Sequence, residues 1–353
     1  MSRAPFAYAP DGSVLVMGDG PELFAFGAND GPLWKAFTEG VIVGVAGNST
    51  TVVSVDSDGR LIAWRGLDGS KLDETTVETA GVRGLAMRPD GLCAVIAKDA
   101  VVLTTPKGGA NVLAVPGACT AAWGPGGELA VGTEGGGLQV FDAAQKPTGS
   151  CSVGSAVTGI VYRAPSQWLV AAGTKVTLVS ADGKLAGAAI DAAGPTGEVA
   201  CTQDGAIFAV MAGPQQVTIG ALGSNKRLGT VTFQRDVGGV GFGQQAWLAI
   251  GLDESEANRI DLATGQICKT EPAHGKVGSK WPMTVECEPQ SVRTAITTVR
   301  TAGKAIATQI DHSGSSMGGN GCLYSCLGTA LAIFVCSGCS GVISALYYFV
   351  YLG

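Results

Sequence analysis

The chain has 353 residues, 15% of them charged, with 54 Gly, 10 Cys and only 2 His, and a formal net charge of −6. An acidic balance without a basic run excludes a nucleic-acid-binding surface, and two distant His exclude a His-built metal centre. The length admits two domains, but a repeat that fills most of the chain argues for one large domain and a tail.

The opening Met-Ser-Arg-Ala-Pro-Phe has no apolar core of a signal peptide and no Met-Gly start for myristoylation, and it leads straight into a first strand. The repeat is clearest at Ala121–Asp142, where three apolar runs of four to six residues are separated by a Pro-Gly-Gly turn and a Gly-rich turn. Runs this short fit strands better than helices. The turn between the first two strands recurs as Pro10-Asp11-Gly12, Gly47-Asn48-Ser49, Pro89-Asp90-Gly91, Pro125-Gly126-Gly127, Pro165-Ser166-Gln167, Gln203-Asp204-Gly205 and Gly243-Gln244-Gln245. Most of these residue types supply the backbone angles or local hydrogen bonds that tight reversals need. The first apolar residue of each third strand falls at Leu23, Leu61, Val101, Leu138, Val176, Val217 and Ala257, in steps of 38, 40, 37, 38, 41 and 40 residues. A period near 40 with several short strands per unit predicts propeller blades.

An eighth, degenerate unit is expected from Met283–Glu286, Val292–Val299 and Lys304–Asp311, read as three strands. The predicted fold is therefore all-β: a seven- or eight-bladed β-propeller of four-stranded blades, with a closed ring protecting the strand edges. The expected divisions are 1–277 for seven repeats, 278–311 for the degenerate repeat or ring-closing strands, 312–321 for a flexible linker and 322–353 for a transmembrane helix. The six propeller cysteines, Cys93, Cys119, Cys151, Cys201, Cys268 and Cys287, read as reduced thiols acting as small apolar residues.

Phe141-Asp142, Ile260-Asp261 and Ile310-Asp311 close their units where WD-repeat proteins carry Trp-Asp, and Ala273-His274 stands where they carry Gly-His. Over roughly residues 5–311 the chain resembles that family. The resemblance implies a propeller that docks proteins. Most blades lack the family's His.

From His312 to Gly353 there is no Asp, Glu, Lys or Arg. His312–Gly321 has linker composition. Leu327–Leu352 would run roughly 39 Å as a helix, enough to span a hydrocarbon core of about 30 Å with some tilt, and Tyr347, Tyr348 and Tyr351 would sit at its far interface. Arg293, Arg300 and Lys304 precede the span and nothing charged follows it, which puts the propeller in the cytosol and makes this a tail-anchor arrangement. Cys322 and Cys326 lie at the cytosolic border, a place for S-acylation. Cys336, Gly338, Cys339 and Gly341 offer a small-residue face for helix–helix association in the bilayer. The four cysteines admit a zinc reading, but two would lie in the apolar core, where zinc thiolates are badly solvated.

No catalytic constellation emerges. Gly135-Gly136-Gly137 reads as a blade turn, since no helix follows to make a phosphate cradle. Asp253-Glu254-Ser255-Glu256 reads as an acidic hairpin tip without calcium-loop spacing. No catalytic, cofactor or metal residue is assigned, and the chain is expected to be non-enzymatic. The leading expectation is a membrane-anchored, cytosol-facing scaffold that holds protein partners on its loops. A cytosolic propeller whose last blade leads into a span is also similar to the membrane-bound exchange factors that activate the small GTPase of COPII vesicle budding. That resemblance implies nucleotide-exchange activity. Those proteins carry a Gly-rich, potassium-binding loop in the first blade, where this chain has the shorter Gly18-Asp19-Gly20-Pro21 without the Asn. A subunit of a larger membrane assembly is the third expectation.

Overall fold

The computed structural model describes residues 5–9, 12–27, 31–48, 50–164, 166–243, 247–252, 257–264, 266–269, 283–285, 290–297, 323–326 and 332–335. Within them, consecutive antiparallel strands form seven sheets, one per blade, arranged as a ring. Blade 1 holds β1 (Phe6–Tyr8), β2 (Val14–Asp19), β3 (Glu22–Gly27) and β4 (Pro32–Phe37), paired in that order. Blades 2 to 5 repeat the pattern with β5–β8 (Ile42–Gly47, Thr51–Asp56, Arg60–Arg65, Lys71–Thr76), β9–β12 (Val82–Met87, Cys93–Ala97, Ala100–Thr105, Gly108–Ala114), β13–β16 (Ala118–Trp123, Leu129–Thr133, Gly137–Phe141, Pro147–Ser152) and β17–β20 (Val157–Arg163, Gln167–Ala172, Lys175–Ser180, Ile190–Asp191). Blade 6 is β21–β24 (Thr196–Cys201, Ile207–Ala212, Gln216–Ala221, Lys226–Phe233), and blade 7 is β25–β28 (Val237–Phe242, Trp247–Leu252, Ala257–Asp261, Gln266–Lys269).

The first strand of each blade is the one that meets the first strands of its neighbours, so it lines the centre of the ring. The second and third strands are covered on both faces. They therefore read as near-continuous apolar runs, as in Cys93–Ala97, where all five residues are buried. All seven third-strand anchors predicted from the repeat are at most 1% exposed. Burying each Val or Leu of this kind contributes about 1.5–3 kcal/mol. The core divides into seven clusters, one at each seam between adjacent blades. At the closing seam Phe6, Leu15, Met17, Phe24 and Phe26 of blade 1 share a cluster with Ala249 and Ala257 of blade 7.

The expected eighth unit takes a different form. Met283–Val285 is a strand, β29, but it pairs with β24 and gives blade 6 a fifth strand. Residues 290–297 form a helix, α1, where a strand is expected over Val292–Val299. The reason is in its spacing: Val292 is fully buried, and Ala295 and Ile296, three and four residues on, pack on the same blade 6–7 cluster. The Arg293 Nε donates to the Ala263 carbonyl at 2.5 Å and fastens the helix to blade 7. Lys304–Asp311 lies outside the described residues.

The helix predicted over 322–353 is corrected where the structure describes it. Leu323–Cys326 (β30) and Ala332–Val335 (β31) pair antiparallel, with Leu323 opposite Val335 and Cys326 opposite Ala332. Ile333, Phe334, Val335 and Tyr324 are β-branched or aromatic, residue types that strands favour. Among the described residues no helix is long and apolar enough to cross a membrane.

Candidate functional site

Because each blade is an up-and-down meander, the ring has two distinct faces. The linker face carries the turns between second and third strands and the connections from blade to blade. The turn face carries the other two sets of turns, and each innermost strand ends there. Six of the seven innermost strands have a register shift near their start, between Ile42 and Gly44, Val82 and Gly84, Ala118 and Thr120, Val157 and Gly159, Thr196 and Val199, and Val237 and Gly239. Such bulges re-aim a side chain. Here they turn several side chains toward the next blade. Arg83 donates to the Ala118 carbonyl at 3.2 Å, the Cys119 thiol to the Val157 carbonyl at 3.0 Å, and Thr158 meets Thr196 at 2.9 Å. Glu198 in turn accepts from the Val240 N–H at 3.3 Å.

On the linker face, Asp56 is fully buried and accepts from the Asp58 and Arg60 N–H groups at 3.1 and 2.9 Å. Arg60 pairs with Glu39 at 2.7 Å and Glu74 at 3.6 Å, and the Glu39 hydrogen bond raises its pKa further. This network fastens the β6–β7 turn. The Gly18-Asp19-Gly20-Pro21 segment is a tight hairpin turn, with Asp19 opposite Glu22 and Gly20 at φ 57°. Gly135-Gly136-Gly137 is likewise the β14–β15 turn. A Cβ at Gly136 would meet the Ser155 backbone at 2.7 Å, so close approach of the next blade's linker requires glycine.

The turn face brings together cations and aromatic rings that the sequence reading did not single out. Arg88, just after β9, lies against the first turn of blade 4, where a Cβ at Gly127 would come within 2.9 Å of its guanidinium. Its Cζ lies 5.4 Å from the Trp123 ring centroid, and Trp123 Nε1 donates to the Ala86 carbonyl at 3.3 Å. Asp90 closes the fork, accepting from Nε at 2.8 Å and Nη2 at 2.5 Å. That hydrogen bond raises the arginine's pKa and lowers the aspartate's.

Arg163, at the end of β17, takes the matching place between blades 5 and 6. Its stem lies on Gly205, where a Cβ would sit 2.9 Å from the arginine Cγ and where φ is 64°. Nε donates to the Gly205 carbonyl at 3.2 Å and Nη1 to the buried Gln167 Oε1 at 2.5 Å. Among the described residues no carboxylate lies within ion-pair distance of this half-buried guanidinium, and burial lowers its pKa. Tyr162 packs edge-on against Trp168, centroids 5.3 Å apart, and its hydroxyl accepts from the Ser166 N–H at 2.8 Å.

No described group of three or more His, Cys, Asp or Glu is placed to hold a metal ion. Burial pushes the Cys93 and Cys201 thiols up to about 12 and Cys119 up to about 11, so none is a ready nucleophile. Of the tail residues singled out in the sequence, Cys326 ends β30. Cys322, Cys336, Gly338, Cys339 and Gly341 lie outside the described residues, as do His274, His312 and the acidic tip at 253–256.

No family profile matches the chain, and no curated protein matches it in sequence. Solved structures do match in shape. The β-propeller domain of Myceliophteria thermophila Cps50 (Swd1) is 16% identical with a TM-score of 0.62, covering 72% of this chain and 95% of that one. A chain of the mitotic checkpoint complex is 14% identical with a TM-score of 0.63, covering 71% and 84%. What this chain shares with them is the β-propeller fold, seven-bladed here.

Proposed function

We propose that the protein is a non-enzymatic docking scaffold whose ring holds protein partners on its turn face, tethered to a membrane by the charge-free segment after residue 311. The observation that carries the docking reading is the turn face itself. Half-buried Arg88, Trp123, Tyr162 and Arg163 stand on a rigid frame of paired strands. Rigid elements that present aromatic and arginine side chains suit recognition, because little entropy is lost when they are covered. The tether rests on composition: Leu327–Leu352 is an apolar run without Asp, Glu, Lys or Arg and offers water no charged face. Positive charge before it at Arg293, Arg300 and Lys304 favours a cytosolic ring. In this reading Cys322 and Cys326 serve acylation, and Cys336, Gly338, Cys339 and Gly341 supply small residues for close association within the bilayer. Nucleotide exchange and membership of a larger membrane assembly are the alternatives, and no feature of the turn face favours either over docking.

Affinity capture of the full-length chain from detergent-solubilised membranes tests both parts. Docking predicts a reproducible partner set, and capture of none above control sinks it. Tethering predicts that the chain stays in the pellet after alkaline carbonate extraction, and release into the supernatant removes it.

A further inference from the structure

We propose that the seam between blades 5 and 6 on the turn face is a binding site for a carboxylate side chain from an acidic segment of a partner protein, with Arg163 as its anchor. This deepens the docking reading and rests on it. The argument is internal to the molecule, because the repeat supplies its own comparison. Arg88 and Arg163 occupy the same place at the end of their innermost strands, and each lies on the positive-φ glycine of the next blade's first turn, Gly127 or Gly205. In blade 3 the chain runs Arg88-Pro89-Asp90, and the Asp90 carboxylate accepts two parallel hydrogen bonds from the guanidinium. In blade 5 it runs Arg163-Ala164-Pro165, and no acid follows.

Arg163 instead makes two hydrogen bonds to neutral acceptors, the Gly205 carbonyl and Gln167 Oε1. Those hold Nε and one N–H of Nη1 and fix the plane of the fork, while Nη2 takes no acceptor among the described residues. A half-buried guanidinium held in place but left without its counter-charge binds a carboxylate more strongly than a mobile surface arginine does, since part of its desolvation and ordering has already occurred on folding. Asp90 takes the Nε and Nη2 donors of Arg88; at Arg163 the Nε is held by the Gly205 carbonyl, so an incoming carboxylate meets Nη2 and the second N–H of Nη1. The half-buried Tyr162 ring beside it, packed edge-on against the buried Trp168, offers an apolar surface for the flanking residues of a peptide.

The test is fluorescence anisotropy of the full chain in detergent with a labelled Glu-rich dodecapeptide and its all-Gln counterpart. The Glu peptide is expected to saturate, to outbind the Gln peptide and to weaken as salt rises. Arg163→Ala should weaken it roughly tenfold or more, and Arg163→Lys should keep the charge but lose the fork, falling between the two. Pro165→Asp, which restores the blade 3 pattern, should lose binding with the arginine still present. Circular dichroism and the urea midpoint confirm that each variant is folded. Equal binding of the Glu and Gln peptides, or an Arg163→Ala affinity equal to wild type, overturns the proposal. So does a phosphoserine peptide that binds where the Glu peptide does not. If the acidic site fails while affinity capture still returns partners, docking stands and only this anchor is lost.

Discussion

Two seams of the ring are held by different means. Between blades 5 and 6, the bulge in β17 turns Thr158 onto Thr196, and Thr196 also donates to the Gly173 carbonyl at 3.1 Å. Between blades 7 and 1, an aromatic side chain replaces that contact. Phe6 lies over Gly239 and Gly251, where a Cβ would come within 2.5 and 2.6 Å of its atoms, and Tyr8 covers Gly243. Each blade is built on four consecutive strands, with β29 added to blade 6, so among the described residues no strand is shared across the closing seam. The difference teaches that a ring closed without strand exchange depends on packing at that one place. Glycines on blade 7 there make room for rings on blade 1.

The strongest way to break this comparison is Phe6→Ala. Phe6 is 7% exposed, and removing it leaves a cavity between Leu15, Met17 and Ala249. The expected loss is about 3–5 kcal/mol, read from the urea midpoint. A loss no larger than that of an interior-seam hydrogen bond would show that packing does not close the ring. Next in size is Val292→Ala, which tests whether α1 braces the last two blades. Val292 is fully buried in the blade 6–7 core, so losing two methyl groups should cost about 2 kcal/mol. A change within a few tenths would mean that the helix only rests on the ring.

The blades were legible in the sequence because their signal is local. Leu23, Leu61, Val101, Leu138, Val176, Val217 and Ala257 mark a period, and each is buried as the first or second residue of its third strand. The strand expected over Val292–Val299 is a helix as far as residue 297: the β-branched Val292 and Ile296 favour a strand locally, while the i, i+3, i+4 spacing of Val292, Ala295 and Ile296 carries a helical face. The bulges could not be read at all. They are a relation between two strands, and nothing in Val157-Thr158-Gly159 alone says that its partner slips by one residue. The Arg163 site went unseen for a related reason: its mark is the acid missing after the arginine, visible only once blades 3 and 5 are superposed.

Dry interior seams predict a pH effect. Cys93 is fully buried between blades 2 and 3, and desolvation raises its thiol from 9.0 to about 12. The unfolded chain therefore ionises first as pH rises. Stability from this group is whole below pH 9 and is lost between 9 and 12. From pH 8 to pH 10 the loss should be about 1.4 kcal/mol, seen as a steeper fall in the urea midpoint of wild type than of Cys93→Ala. Parallel slopes for the two proteins would mean that water reaches the seam.

The smallest effect sharpens the comparison most. Thr158→Val keeps the shape of the side chain and deletes the hydroxyl that links blades 5 and 6, yet Thr196 retains its bond to the Gly173 carbonyl. No buried donor is orphaned at Thr196, so the cost should be only about 1 kcal/mol. It should also add to that of Phe6→Ala within about half a kcal/mol in the double variant, because the two seams share no side chain. Additivity would show that closure and interior cohesion are separate properties of the ring. Strong coupling between the two would instead mean that strain at the closing seam is distributed around all seven blades.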